Sequence, residues 1–343
     1  MNMRTSGGLP APMFSEGLSP AAPAGGDGNP LEPAPPPPPP STANVVFMGP
    51  NGLRAGWRLL IFLGIFFTLA FLIGVVARHF IGDQQPGPAE GYLSTILSEA
   101  ATFALVLVCS FVMTKIEKRT LADYGLPWRK AFRGKFWEGM VWGFAALTAL
   151  LLSLRAAGAY SFGPPAIHGR DIAFYATVWG VAFLLVGFVE EFLFRGYALF
   201  TLTTGIGFWP SAILLSAGFG AVHLTNPGET WIGGLSAGLF GFLFCLILRR
   251  TGDLWLAIGF HCSWDWGESF FYGVPDSGFV SPGHFLSSSF QGNKWITGGS
   301  VGPEGSVLCI VVLLVLWILF SFRFREARYP DPAALGDHRP HAA

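Results

Sequence analysis

Residues 172–195 read IAFYATVWGVAFLLVGFVEEFLFR: a long apolar run that ends in two carboxylates and an arginine. At ~1.5 Å per residue, a helix over Ile172–Phe194 is long enough to cross ~30 Å of hydrocarbon. Seven similar stretches surround it: Trp57–Ala77, Leu93–Thr114, Phe136–Leu154, Trp209–Leu224, Trp231–Leu248, Leu254–Phe271 and Ser306–Phe322. The composition agrees. Of 343 residues, 51% are hydrophobic and only 12% charged, with a mean hydropathy of +0.49, whereas soluble domains carry about 25% charged residues. Half that density cannot coat a water-facing surface, so the expected fold is an all-α, polytopic membrane bundle of about eight transmembrane helices. Gly234 and Gly238 in the sixth span form a small-xxx-small pair that lets helix backbones approach closely.

Basic residues orient the bundle. Lys115, Lys118, Arg119, Arg129, Lys130, Arg133 and Lys135 follow the second span, Arg249 and Arg250 the sixth, and Arg323, Arg325 and Arg328 the eighth. The 34-residue stretch Tyr272–Gly305 holds Lys294, and the loop before the fourth span holds Arg170. The positive-inside rule makes the basic side cytoplasmic, with both termini there, in what is expected to be a bacterial inner (plasma) membrane. Lys+Arg and Asp+Glu balance at 21 each, which argues against nucleic acid as a partner. The partner expected from this composition is the lipid bilayer. Cys109, Cys245, Cys262 and Cys309 contain no CxxC pair and form neither a disulfide framework nor a zinc knuckle.

The expected organisation has four parts. Residues 1–52 read as a disordered cytoplasmic tail, because 13 of the 26 prolines fall in the first 50 residues, including Pro35–Pro40. Residues 53–135 hold two helices and the basic loop, residues 136–325 a core made of the other six spans, and residues 326–343 a short polar tail.

An ionisable side chain at mid-bilayer costs about 2.5–3.5 kcal/mol, so each one needs a reason. Glu191 and Arg195 are four apart on one helical face and can pair, which leaves Glu190, about 100° away, free to act as a base. Glu190 lies 16 residues before Ile206 in the Gly205-Ile206-Gly207 turn, and His223 lies 17 after it. A helical hairpin there brings both to similar depth, about 25 Å from the turn. His261 and Asp265, at i and i+4, share a face as two ligands would, or as a histidine and the carboxylate that orients it.

Together these residues resemble the CAAX protease and bacteriocin-processing (CPBP, or Abi) family of intramembrane proteases. Its pattern of EExxxR, FxxxH and HxxxN/D is matched by Glu190-Glu191-xxx-Arg195, Phe219-xxx-His223 and His261-xxx-Asp265, in order on separate spans. Gly302-Pro303-Glu304-Gly305 also looks like a piece common in bacterial members. The resemblance covers roughly Phe136–Phe322, and the first two spans look like variable additions. It implies hydrolysis of a peptide bond in a membrane-associated peptide or protein, with Glu190, His223, His261 and Asp265 as catalytic residues and Glu191 and Arg195 supporting them. The family is commonly named a metalloprotease, so Zn2+ on His223, His261 and Asp265 is one implied arrangement. Direct activation of water by a glutamate and a histidine, without metal, is the other. A non-catalytic scaffold or bacteriocin-immunity factor on the same fold, and a proton-coupled transporter, are the rival readings. Transporter-style inverted repeats are not found in the sequence.

Overall fold

The computed structural model describes residues 42–49, 52–81, 91–226 and 228–330. The proline-rich residues 1–41 and the terminal residues 331–343 lie outside the described residues. The expected disordered tail reaches into described chain at 42–49, and there the structure differs. Thr42–Phe47 forms a short helix α1, and β1 (Met48–Gly49) pairs with β2 (Gly52–Leu53). Its apolar residues fold back on the first long helix: Phe47 packs on Trp57 with ring centroids 4.8 Å apart. Trp57 Nε1 donates to the Val46 carbonyl at 3.1 Å.

A helix stands at each of the eight apolar stretches. They are α2 (Ala55–Ile81), α3 (Gly91–Glu117), α4 (Gly134–Ala156), α5 (Arg170–Phe192), α7 (Phe208–His223), α8 (Trp231–Thr251), α9 (Trp255–Trp266) and α11 (Val307–Arg323), with α6 (Leu199–Ile206) and α10 (Lys294–Thr297) as short pieces. Among the described residues, five helices are long and apolar enough to span a membrane, one of them being α5 continued through α6; α7 and α11 are shorter apolar helices. The lipid-facing surface is legible in large apolar side chains left exposed, among them Phe67 and Phe71 on α2, Ile213 and Leu214 on α7, and Leu314 and Ile318 on α11. An apolar belt of this extent is what a bilayer covers.

Local chemistry sets the ends. Thr230 caps α8 by accepting from Gly233 N at 3.2 Å, and Gly252, at φ +88°, ends it in the left-handed conformation. Ser306 caps α11 in the same way, from Leu308 N at 3.1 Å. The α8–α9 corner is pinned to the basic loop: Lys135 Nζ reaches Asp253 Oδ2 at 2.6 Å, and Leu254 N donates to the Gly125 carbonyl at 2.9 Å. The stretch between α9 and α11 is tied back by β4 (Ser289–Phe290) pairing with β3 (Tyr160–Ser161) and by Trp179 Nε1 donating to the Pro282 carbonyl at 2.9 Å.

Helix contact in the centre depends on missing side chains. The α4–α9 crossing is the most extensive helix pair. A Cβ on Gly139 would stand 2.1 Å from the Leu256 carbonyl oxygen, and one on Gly143 would stand 2.2 Å from that of Phe260. The Gly234–Gly238 pair works alike, since a Cβ on Gly220 of α7 would meet the Gly234 carbonyl at 2.4 Å. Without a water-driven hydrophobic effect between helices in lipid, such close packing supplies much of the association. Gly143→Ala is therefore expected to destabilise the protein by about 1–3 kcal/mol. An unfolding midpoint in detergent equal to wild type would show that the crossing is not so tight.

Candidate active site

The catalytic candidates come from three helices that close on one cavity of about 580 Å³. Helix α5 delivers Glu190 and Glu191 at its C-terminal end, where the helix widens into a π-helical stretch over Leu193–Ala198. Gly196, at φ −81° and ψ −113°, breaks the helical path there. Such wide turns recur at functional sites because they re-aim side chains. Helix α7 delivers His223 at its last turn, and α9 delivers His261 and Asp265 one turn apart before a second π-helical stretch, Gly267–Tyr272. Glu190, His223, His261 and Asp265 all line the cavity. The helical hairpin expected at the Gly205-Ile206-Gly207 turn is present, with α6, the continuation of α5, packing on α7 and Gly207 at φ +84° between them.

His261 is the hub. Its Nδ1 lies 3.0 Å from Glu191 Oε1, while its Nε2 lies 3.6 Å from Glu190 Oε2 and 3.5 Å from Asp265 Oδ2. A carboxylate only accepts, so Nδ1 carries the proton toward Glu191. Nε2 is then the nitrogen turned to the two cavity carboxylates. Arg195 Nη1 reaches the same Glu191 Oε1 at 3.2 Å, and both side chains are buried, at 1% and 0% exposure. The guanidinium lies 4.2 Å from the Phe219 ring centroid, which places the phenylalanine of the second motif against the arginine of the first. The Phe244 ring stacks on His261 at 5.4 Å, fixing the plane of the imidazole.

The sequence expectation paired Glu191 with Arg195, and the structure adds His261 as its second partner. The orienting carboxylate of His261 is thus Glu191, not Asp265, which stands instead on the Nε2 side. A third helix was needed to see this, because spacing along one helix cannot reveal a partner on another. His223 is held separately. Its Nδ1 lies 2.9 Å from the Phe219 carbonyl, which again makes Nδ1 the donor, and its ring lies 4.4 Å from the Phe219 ring.

His223, His261 and Asp265 do not close as a ligand set. Among the described residues, the one group of three or more potential ligand atoms lying within 4.8 Å of one another is Glu268, Asp276 and Glu304. As placed, the ligand atoms of the three residues named for zinc are too far apart to share one ion. Cys262 is buried, at 4% exposure, and packs away from the cavity lining, as expected of a side chain on another face.

Several lining residues escaped the sequence reading. Glu99 on α3 faces the cavity, with Thr95 and Ser98 beside it. A carboxylate inside an apolar span was signal enough to find it. Helix α3 therefore furnishes part of the cavity wall and is more than an addition to the core. Asp276 and Glu304 line the cavity from the stretch between α9 and α11, where carboxylates are ordinary; the Gly302-Pro303-Glu304-Gly305 resemblance had quoted Glu304 but given it no role, and nothing marked Asp276. None of the curated proteins matches the chain. Residues 172–267, a narrower stretch than the motifs suggested but one that contains all three, match the family model described as type II CAAX prenyl endopeptidase Rce1-like, the family to which the motif resemblance had pointed.

Proposed function

We propose that this protein is an intramembrane endopeptidase that hydrolyses a peptide bond of a membrane-associated substrate with water activated by Glu190. The observation that carries this reading is the arrangement at His261: Glu191 on Nδ1, and Glu190 and Asp265 both on the Nε2 side of a cavity reached by His223. Water seated beside Glu190 and His261 Nε2, within reach of both, gives its proton to Glu190 as its oxygen bonds to the scissile carbonyl carbon. The same carboxyl then returns that proton to the leaving amine as the C–N bond breaks. His223, its Nδ1–H spent on the Phe219 carbonyl, presents Nε2 and in its imidazolium form donates to the carbonyl oxygen as negative charge develops there. Asp265 stands at His261 Nε2, on the side opposite Glu191, and accepts from it when the ring is in its imidazolium form. Aromatic walls from Trp179, Phe183, Phe240 and Phe244 suit an apolar segment beside the scissile bond.

The test is cleavage of membrane-anchored peptides, prenylated and unprenylated, by wild-type and Glu190→Gln protein in proteoliposomes. Cleavage by wild type alone supports the reading. A Glu190→Gln chain that keeps its biological effect in cells would point to a scaffold on the same fold. We also propose, from the basic loops, that both termini are cytoplasmic. Single-cysteine labelling should place the Lys115–Lys135 loop on the same side as either terminus; labelling from opposite sides would overturn the topology.

A further inference from the structure

Glu268, Asp276 and Glu304 each place a carboxylate oxygen within 4.8 Å of the others, yet the proposed hydrolysis uses none of them. Three negative charges at this range repel strongly, and no lysine or arginine pairs with any of them among the described residues. A second observation points into the cluster. Glu268 is fully buried, at 0% exposure, and neither of its carboxylate oxygens has a hydrogen-bond partner. A buried carboxylate left unmatched on both oxygens costs several kcal/mol unless something neutralises it.

The other two members are held as ligands are. Glu304 Oε1 accepts from Trp264 Nε1 at 3.1 Å, and its Oε2 accepts from Ser277 N at 3.2 Å and Ser277 Oγ at 2.8 Å. Asp276 Oδ2 accepts from Ser269 Oγ at 3.1 Å. Outer hydrogen bonds of this kind orient metal-binding carboxylates. The size also fits: oxygens on opposite sides of a calcium ion at about 2.4 Å stand about 4.8 Å apart, and adjacent ones stand closer. With oxygen donors alone, the set suits a hard cation and not zinc.

We propose that Glu268, Asp276 and Glu304 bind one hard divalent cation, calcium or magnesium with water completing its shell, and that this cation fastens the stretch between α9 and α11 to the bundle. Glu268 sits on the π-helical end of α9, whereas Asp276 and Glu304 lie near the two ends of that stretch. One ion would therefore tie three chain segments together. The stretch also carries Phe279, Val280, Ser281 and Pro282 into the cavity lining, so the cation would fix one wall of the cavity without touching the reacting atoms.

Trp264 supplies the readout, since its indole donates to Glu304 and can sensitise terbium luminescence. Full-length protein in detergent, stripped with chelator, is titrated with Tb3+ and then with Ca2+ or Mg2+ as competitor. The expected result is saturable binding of one Tb3+ per chain, displaced by one of the two ions, with a higher unfolding midpoint in that ion. Glu304→Gln and Asp276→Asn should each weaken binding by about tenfold or more, whereas Glu190→Gln should keep the full equivalent. Absence of saturable binding at millimolar ion would overturn the proposal, since protons would then neutralise the cluster. Wild-type affinity in both Glu304→Gln and Asp276→Asn, or loss of binding in Glu190→Gln, would overturn it too.

Discussion

In proteoliposomes, Glu190→Gln protein is expected to unfold at the wild-type midpoint while its cleavage rate falls by about 10²- to 10⁴-fold, the range a positioned acid–base group contributes. Glutamine keeps the volume of Glu190 and a hydrogen-bonding oxygen toward the cavity, so the packing around a side chain that is 29% exposed changes little. It loses the basicity that takes the proton from water, because an amide oxygen accepts a hydrogen bond without removing the proton. A fall in kcat with little change in KM is the pattern of an interaction made in the transition state. Glu191→Gln should separate the two neighbours. It leaves Glu190 untouched and weakens the hold on His261 Nδ1. A Glu190→Gln enzyme that cleaved at the wild-type rate would remove Glu190 as the base.

Arg195→Ala is expected to cost about 3–5 kcal/mol of stability, because it leaves the Glu191 charge buried without its cation. The two side chains are among the least exposed polar groups of the bundle, so solvent screening cannot soften the loss. Replacing both partners gives the decisive comparison. In Glu191→Gln/Arg195→Met no unpaired charge remains, and most of the stability should return, since buried ion pairs exchanged for neutral groups of similar size are often close to neutral. Activity should not return with it, because His261 still lacks its orienting carboxylate. Unfolding in detergent measures the first effect and proteoliposome cleavage the second. If Arg195→Ala unfolded within about 1 kcal/mol of wild type, the pair would not be the structural anchor argued from its burial.

How far the site could be read along the chain depended on the geometry of each relationship. Glu191 and Arg195 lie one helical turn apart on one span, and 3.6 residues per turn makes them neighbours whatever surrounds them. His261 and Asp265 were readable for the same reason. The Glu191–His261 bond was not, because it joins α5 to α9 across 70 residues and depends on how two helices are rotated against each other. The bond that holds His223 joins its Nδ1 to the Phe219 carbonyl of its own helix, one turn away.

What the sequence determined by itself was the solvent and the cast. Apolar spans with too few charges to face water dictate a helical membrane bundle, because only segments that satisfy their own backbone hydrogen bonds cross hydrocarbon. The cost of an ionisable group in lipid then singled out Glu190, Glu191, Arg195, His223, His261 and Asp265. Tertiary structure alone decided which of them touch from one helix to another. It placed Glu191 between Arg195 and His261, brought Glu99 in from α3, and gathered Glu268, Asp276 and Glu304 from three separate segments. The physical reason is that periodicity reports one helix face at a time. Which faces meet is settled by close contacts such as Gly139 and Gly143 against the backbone of α9, and no single span contains both sides of such a contact.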